Sequence, residues 1–304
     1  PMDRRWDERP ETSLGAYSMI AAQKAMDDAG ISLDDIDGVV SCPRANIPEW
    51  SRPELPPPYN TADGVSKVTA EWLITNMGLK NVKFIDNTPD SLGGNISWAL
   101  NFAAQAVGDG KAEVVLVRYT MGNFSGRYSQ AGSNSEEEAS GGGQWTGPWG
   151  WGAAGTPYAY LMGEYCTKYG SNPDRMAPFV VNARRNGRMF PDGYYYQHPE
   201  EALTVEDYLA SRWIAKPLRI HDCDRPVQGG ACYIVTTAER AKDMKQPPVY
   251  FLNHCVNKFD SRSSVETLDE VEGWMDSLQK KIYEGSGLTP RDIDVYNPYD
   301  GFTH

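Results

Sequence analysis

Tyr299 and Asp300 stand side by side near the carboxyl end of the sequence, with Tyr296 three residues upstream and His304 as its last residue. A phenol can accept or donate a proton when a neighbouring donor or positive charge pulls its pKa below the free value near 10. An adjacent carboxylate can orient that phenol or a substrate. His304 and Tyr296 are weaker candidates for the same chemistry. Sulfur has no comparable signature: Cys42, Cys166, Cys223, Cys232 and Cys255 are scattered, odd in number and never spaced as a CxxC pair. That pattern argues against a disulfide framework or a zinc ribbon and fits a reducing cytoplasm. His198, His221 and His254 lack metal-ligand spacing, so no metal site is expected. Asp222 and Asp224, which flank Cys223, read as turn and capping residues. Asp90, beside Ser91, reads first as a helix cap and is kept as a further catalytic candidate.

A repeated framework must position these groups. Gly30-Ile31-Ser32-Leu33-Asp34-Asp35-Ile36-Asp37-Gly38-Val39 is echoed by Gly287-Leu288-Thr289-Pro290-Arg291-Asp292-Ile293-Asp294-Val295-Tyr296. In each copy the glycine reads as a helix stop and Asp-Ile-Asp as the entry to a buried strand. Duplication is the simplest reading, with the halves packed about a pseudo-two-fold axis and ligand clefts outside the strand ends. Leu14 to Ala29 is an amphipathic helix capped by Thr12 or Ser13. Val39 to Cys42 is a strand, Pro43 to Tyr59 a Pro-rich loop, and Val65 to Met77 a helix stopped by Gly78. A strand around Val82 to Asp86, a helix opened by Gly93-Gly94 and running through Val107, and a buried strand at Val114 to Tyr119 follow.

Asn123 to Gly155, with Gly141-Gly142-Gly143 and the aromatic stretch Trp145 to Trp151, is irregular. Helical character returns at Tyr158 to Tyr169 and Phe179 to Arg188, and Thr204 to Asp207 caps another short helix. Cys232 to Thr236 and Val249 to Leu252 read as strands upstream of the second copy. This alternation predicts a mostly parallel sheet covered on both faces. Because the second copy lacks the elements that follow the first, the chain is expected to be short at both ends.

Composition sets limits. At 304 residues and 40% hydrophobic, the chain can build one large or two medium domains with a real core. A net charge of −12 argues against a nucleic-acid partner, which needs a basic face. No apolar run reaches the roughly 18 residues of a membrane-spanning helix, and no basic-then-apolar leader is read.

These motifs, followed by Gly110-Lys111-Ala112-Glu113-Val114-Val115-Leu116-Val117, resemble the thiolase superfamily. Ser211-Arg212-Trp213-Ile214-Ala215-Lys216-Pro217-Leu218, His221-Asp222-Cys223-Asp224-Arg225-Pro226-Val227, Gly229-Gly230-Ala231 and Thr236-Thr237-Ala238-Glu239-Arg240-Ala241 narrow the resemblance. They are similar to the lipid-transfer, sterol-carrier-protein-X branch, and within it to thiolase-like aldolases that remove steroid side chains. The resemblance implies a duplicated α/β fold of five layers, αβαβα, apparently incomplete at both termini. Its parts would be a first half over 1–122, an inserted loop and helix region over 123–210, and an incomplete second half over 211–304. It also implies an acyl-CoA substrate, a homodimer, and a small zinc-containing OB-fold partner subunit of a hydratase. No cofactor is implied beyond the coenzyme A of the substrate. Arg184, Arg185 and Arg188 could meet CoA phosphates or equally form a surface ion-pair face. Trp149 lies in an aromatic loop that could cover an acyl pocket or dock a partner.

Two departures from the thiolase pattern direct the chemistry. Where a thiolase places its nucleophilic cysteine at a helix start, which lowers a thiol pKa, this chain reads Asn87-Thr88-Pro89-Asp90-Ser91-Leu92-Gly93-Gly94 and has none. Where thiolases carry Asn-Glu-Ala-Phe, this chain reads Tyr299-Asp300-Gly301-Phe302, a phenol in place of an amide. Both suit retro-aldol cleavage of a β-hydroxyacyl-CoA, with Tyr299 as acid/base and Asp300 orienting it. A non-catalytic scaffold or acyl-CoA-binding subunit, and an acyltransferase or thiolase, are the alternatives.

Overall fold

The computed structural model describes residues 13–42, 64, 67–88, 95–121, 145, 155–225, 229–255, 267–297 and 301–303. Along the chain its elements are α1 (Leu14–Ala29), β1 (Gly38–Ser41), α2 (Ala70–Met77), β2 (Phe84–Asn87), α3 (Asn95–Gly108), β3 (Val114–Met121), α4 (Gly155–Tyr169), α5 (Ala177–Gly187), α6 (Tyr194–Gln197), α7 (Val205–Ala210), β4 (Trp213–Ala215), β5 (Leu218–Arg219), β6 (Gly229–Thr236), α8 (Ala238–Ala241) and α9 (Leu268–Ser286). They fall into two compact units, Pro1–Arg127 with Val227–Val256 and Tyr128–Pro226 with Asn257–His304.

The first unit is an α/β layer structure. Its sheet runs β2-β1-β3-β6, with β2, β1 and β3 parallel and β6 antiparallel to β3. The alternation of strand side chains divides the core in two. Val39, Val114 and Leu116 pack with Leu14, Met26, Leu73 and Met77 of α1 and α2. Val40, Val115 and Val117 face the other way, onto Ala99 and Ala103 of α3. α1 begins where Ser13 Oγ accepts the Ala16 amide at 3.2 Å, and ends at Gly30, whose φ of 72° lets its N–H reach Met26 O at 2.8 Å. α2 starts later than Val65 because Thr69 is its cap, Oγ1 accepting the Trp72 amide at 3.1 Å.

The second strand-like run of the sequence needs correction. Val249 to Leu252 forms no strand and is exposed, Val249 by 95%. A strand needs a hydrogen-bonded neighbour, and among the described residues these four have none. Cys232 to Thr236 does form a strand, as the antiparallel edge of the sheet.

In the second unit, α4 and α9 are joined by charge. Lys168 Nζ reaches Asp269 Oδ1 and Glu272 Oε2, each at 2.6 Å, and Tyr169 donates to Glu272 at 2.7 Å. The two carboxylates hold the Lys168 ammonium well above its ordinary pKa. α5 and α7 share a small core of Ala177, Val180 and Tyr208.

The duplicated motif is repeated in local structure. α9 ends at Gly287 with φ 71°, its N–H bonded to Tyr283 O at 2.9 Å. Asp292 Oδ2 accepts from the amide and hydroxyl of Thr289 at 2.8 and 2.7 Å. Asp35 does the same for Ser32, at 2.8 and 2.7 Å. The copies then diverge. Asp37 is buried, its Oδ1 accepting the Glu113 and Val114 amides at 2.9 and 2.8 Å and so joining the starts of β1 and β3. Its counterpart Asp294 is exposed and leads into no described strand.

Gly273 lies inside α9, and a Cβ there would meet nothing within 4 Å. Interior helical glycine costs about 1 kcal/mol relative to alanine. Gly273→Ala is therefore expected to stabilise the second unit by about that amount. Urea unfolding of the two proteins side by side checks this, and a lower midpoint for the variant would refute it.

Candidate functional site

Gly301, Phe302 and Thr303 directly follow the proposed catalytic pair in sequence, and the second unit grips them. Phe302 bridges Cys223 in antiparallel fashion, the Asp224 amide donates to Gly301 O at 3.0 Å, and the Thr303 amide donates to Asp222 O at 3.0 Å. Thr303 Oγ1 also donates to Asp222 Oδ1 at 2.8 Å. The Phe302 ring stacks on Tyr158 of α4 with centroids 4.2 Å apart and packs with Ala159 and Leu218. Gly155 opens α4 at this spot, where a Cβ would lie 3.2 Å from Leu218 Cδ2.

Asp222 is the hub of this arrangement and is only 3% exposed. Oδ2 accepts the Arg219 amide at 2.6 Å, which is the turn-capping role read from the sequence. Oδ1 accepts the Tyr208 hydroxyl at 2.8 Å as well as that of Thr303. Burial first, and the Asp222 carboxylate second, push the Tyr208 phenol well above its ordinary pKa, so it stays a donor. Arg219 fixes the preceding turn: it donates to Ser211 O at 3.0 Å and Asp174 Oδ1 at 3.1 Å, and its guanidinium lies 3.9 Å over the Trp213 ring. The sequence signalled Asp222 through its Asp-Cys-Asp motif. Tyr208 and Thr303 carried no signal, since they meet Asp222 only in three dimensions.

The other candidates fall as follows. Tyr299, Asp300, His304, Asp90 and Trp149 lie outside the described residues. Tyr296 is 77% exposed. Arg184 points inward at 9% exposure, donating to Glu201 O at 2.6 Å with its guanidinium 4.0 Å over the Tyr195 ring. Burial lowers its pKa, with Arg225 adding to that effect. Arg185 is exposed and donates to Asn182 at 2.7 Å, whereas Arg188 is half-buried at the end of α5. Arg184 is thus engaged within the protein, while Arg185 faces solvent.

His198, Glu200 and Glu201 bring ligand atoms within 4.8 Å of one another, the one such group of three among the described residues. Glu201 also takes the Arg225 guanidinium at 2.7 Å and the Tyr194 hydroxyl at 2.8 Å. Among the described residues, those lining a groove of about 710 Å³ beside Lys168, Lys216 and Asp269, and those lining a cavity of about 520 Å³ beside β6 in the first unit, include none of the candidates.

Four of the thiols are poor nucleophiles. Burial raises the pKa of Cys42 and Cys166, and pushes Cys223 and Cys232 up to about 12. At Cys223 the carboxylates of Asp222 and Asp224 add to that rise. These four thiols stay protonated at neutral pH. None of the five cysteines is in a disulfide.

His221 is half-buried, and its pKa is lowered first by burial and next by Arg184. A folded-state pKa below the unfolded value near 6.5 means that the unfolded chain binds more protons in that range. The stability held by neutral His221 is therefore complete above about pH 6.5 and is lost as the pH falls below it. Melting curves of wild type and His221→Gln should differ more in favour of wild type at pH 7.5 than at pH 5. Equal differences would refute this.

No family model matches the chain. It is 29% identical over 314 residues to the steroid side-chain-cleaving aldolase of Thermomonospora curvata, covering 97% of this chain and 70% of that one. It is 27% identical over 303 residues to the 17-hydroxy-3-oxo-4-pregnene-20-carboxyl-CoA lyase of Mycobacterium tuberculosis, covering 97% and 71%. Among solved structures, the Ltp2-ChsH2(DUF35) aldolase matches with a TM-score of 0.69 at 24% identity, covering 99% of this chain and 71% of that one. An acetyl-CoA acetyltransferase from Syntrophomonas wolfei matches with a TM-score of 0.63 at 14% identity, covering 100% and 77%. The fold is therefore thiolase-like, as the motifs implied. Within that class the chain is similar to the two curated proteins above, one named an aldolase and the other a CoA lyase.

Proposed function

We propose that the protein is a carbon–carbon lyase that cleaves a β-hydroxyacyl-CoA by retro-aldol scission to a ketone and a shorter acyl-CoA. One observation carries this reading: two relatives named as an aldolase and a CoA lyase each align with 97% of the chain. The raised thiol pKa values support it, because they leave four of the cysteines without nucleophilic character. For a ketone to leave, the β-carbon must carry two carbon substituents beside its hydroxyl, as a steroid ring carbon does. A base takes the hydroxyl proton, the Cα–Cβ bond breaks as the C=O forms, and the thioester enolate left behind is protonated at Cα. An α-methyl substrate gives propionyl-CoA. Tyr299 is the proposed acid/base group, with Asp300 orienting it. The step calls on no cofactor beyond the coenzyme A of the substrate, and hydrogen-bond donors would stabilise the enolate.

The proposed setting is cytoplasmic, consistent with five cysteines that form no disulfide. No described helix is long and apolar enough to cross a membrane. A homodimer, joined by a zinc-containing OB-fold subunit, is the proposed assembly. The two-component name of the Ltp2-ChsH2(DUF35) aldolase is compatible with a second subunit.

The test is incubation of the purified protein, with and without such a subunit, with 17-hydroxy-3-oxo-4-pregnene-20-carboxyl-CoA. Formation of the 17-ketosteroid and propionyl-CoA without added CoA supports the reading. Cleavage that requires free CoA would make it a thiolase, and no turnover with every subunit present would make it a scaffold.

A further inference from the structure

We infer that Arg184 and Arg225 form an oxyanion-binding site in the second unit, one that takes a phosphate-type group. The inference is independent of the retro-aldol reading above, since neither arginine has a part in that chemistry. A buried charge is normally matched by an opposite one, because taking it out of water is costly. Arg184 is only 9% exposed. Its hydrogen bond nevertheless runs to a backbone carbonyl, Glu201 O at 2.6 Å, and no carboxylate among the described residues forms an ion pair with it. Glu201 gives its carboxylate instead to Arg225 at 2.7 Å and to the Tyr194 hydroxyl at 2.8 Å. Two guanidiniums thus share one carboxylate.

Arg225 is also not fully used. Its Nε is buried and meets no acceptor, a charged donor left without a partner. The two arginines lie at one ring, with the Cζ of Arg184 4.0 Å and that of Arg225 5.7 Å from the Tyr195 centroid. Tyr195 is half-buried and the Arg225 side chain keeps 23% of its surface, so solvent reaches the pair. The positive charge is felt nearby: after burial, Arg184 is the next cause that lowers the pKa of His221, and Arg225 adds to it. A bound oxyanion answers both anomalies at once. It brings the negative charge that Arg184 lacks and acceptor oxygens for the idle Arg225 donor, and planar guanidinium forks match phosphate oxygens in pairs.

Isothermal titration calorimetry of the full chain tests this, with inorganic phosphate as the probe and chloride at equal ionic strength as the blank. Phosphate is expected to bind saturably, one per chain. Arg184→Gln and Arg225→Gln should each weaken it by about tenfold or more, the loss of a hydrogen bond to a charged group. Arg185→Gln, which alters a solvent-facing neighbour, should leave the affinity within about twofold. Arg225 is partly exposed, so Arg225→Gln keeps the test decisive if the buried Arg184→Gln fails to fold. Free phosphate and the phosphate of coenzyme A offer the same chemistry, and titrations with coenzyme A and with dephospho-coenzyme A, which lacks the 3′-phosphate, separate them. A preference for coenzyme A of about tenfold that Arg225→Gln abolishes would make its 3′-phosphate the occupant. Equal affinities beside saturable phosphate binding would give the site to the free anion. The inference is overturned if phosphate does not saturate and no such preference appears, or if Arg225→Gln binds phosphate and coenzyme A as wild type does.

Discussion

Tyr299→Phe is expected to lower kcat for cleavage of the β-hydroxyacyl-CoA by at least a hundredfold, because positioned general acid–base catalysis contributes about 10²- to 10⁴-fold. The substitution removes one oxygen and keeps the ring, so packing and folding should be preserved and the melting temperature should stay near that of wild type. KM should change little, since the hydroxyl is assigned to proton transfer in the transition state and not to ground-state binding. The pH profile adds a second readout: the limb of kcat belonging to the phenol should vanish in the variant. Single-turnover kinetics with the wild type and variant on the same steroid thioester would measure this directly. A variant with more than about a third of wild-type kcat would remove Tyr299 from the mechanism. An acyl adduct trapped on any of the five cysteines during turnover would do the same, by restoring the sulfur route that burial of Cys42, Cys166, Cys223 and Cys232 disfavours.

What could be read from residues alone was what depends on neighbours in sequence. The stop at Gly30 is legible because only a residue at ease with φ of 72° closes the helix so tightly, and the same holds at Gly287 with φ 71°. Paired Ser32–Asp35 and Thr289–Asp292 caps follow for the same local reason. Long-range partnership was not legible. Nothing within Cys232 to Thr236 says that it will run antiparallel to β3, and nothing in Val249 to Leu252 says that it will lack a neighbour among the described residues. Likewise Arg184 and Arg185 look equivalent in the sequence. Their separation by one residue turns them about 100° apart on a helix, which buries the first against Tyr195 and leaves the second in solvent. At the site, the Asp-Cys-Asp motif disclosed a turn. Its second task, gripping Thr303, depends on a contact spanning 81 residues that no local pattern encodes.

The edge strand supplies the second large effect, at Gly230. This glycine pairs with Thr120 across β3 and β6, and a Cβ built on it would overlap Thr120 Cγ2 and lie 3.3 Å from Thr120 Cβ. Such an overlap is far inside van der Waals contact, so Thr120 must move. It cannot move freely, because it is buried, its Oγ1 shares a hydrogen bond of 2.7 Å with Ser18 Oγ, and the Arg118 guanidinium donates to the same oxygen. Arg118 in turn donates to Ser18 Oγ at 2.9 Å and Val68 O at 3.2 Å, so rotation of Thr120 disturbs a fully buried polar network beneath α1. Overpacking of this kind costs about 1–3 kcal/mol, and the loss of a buried hydrogen bond adds to it. Gly230→Ala is therefore expected to destabilise the first unit by about 2–3 kcal/mol, even though alanine ordinarily favours a strand over glycine by about 0.5–1 kcal/mol. The double variant Gly230→Ala with Thr120→Ser deletes the offending methyl and keeps the hydroxyl, so most of the loss should return as a coupling of about 2 kcal/mol. Denaturant unfolding of the two single variants and the double variant closes that cycle. Additive effects would mean that the glycine is required for some reason other than the Thr120 methyl.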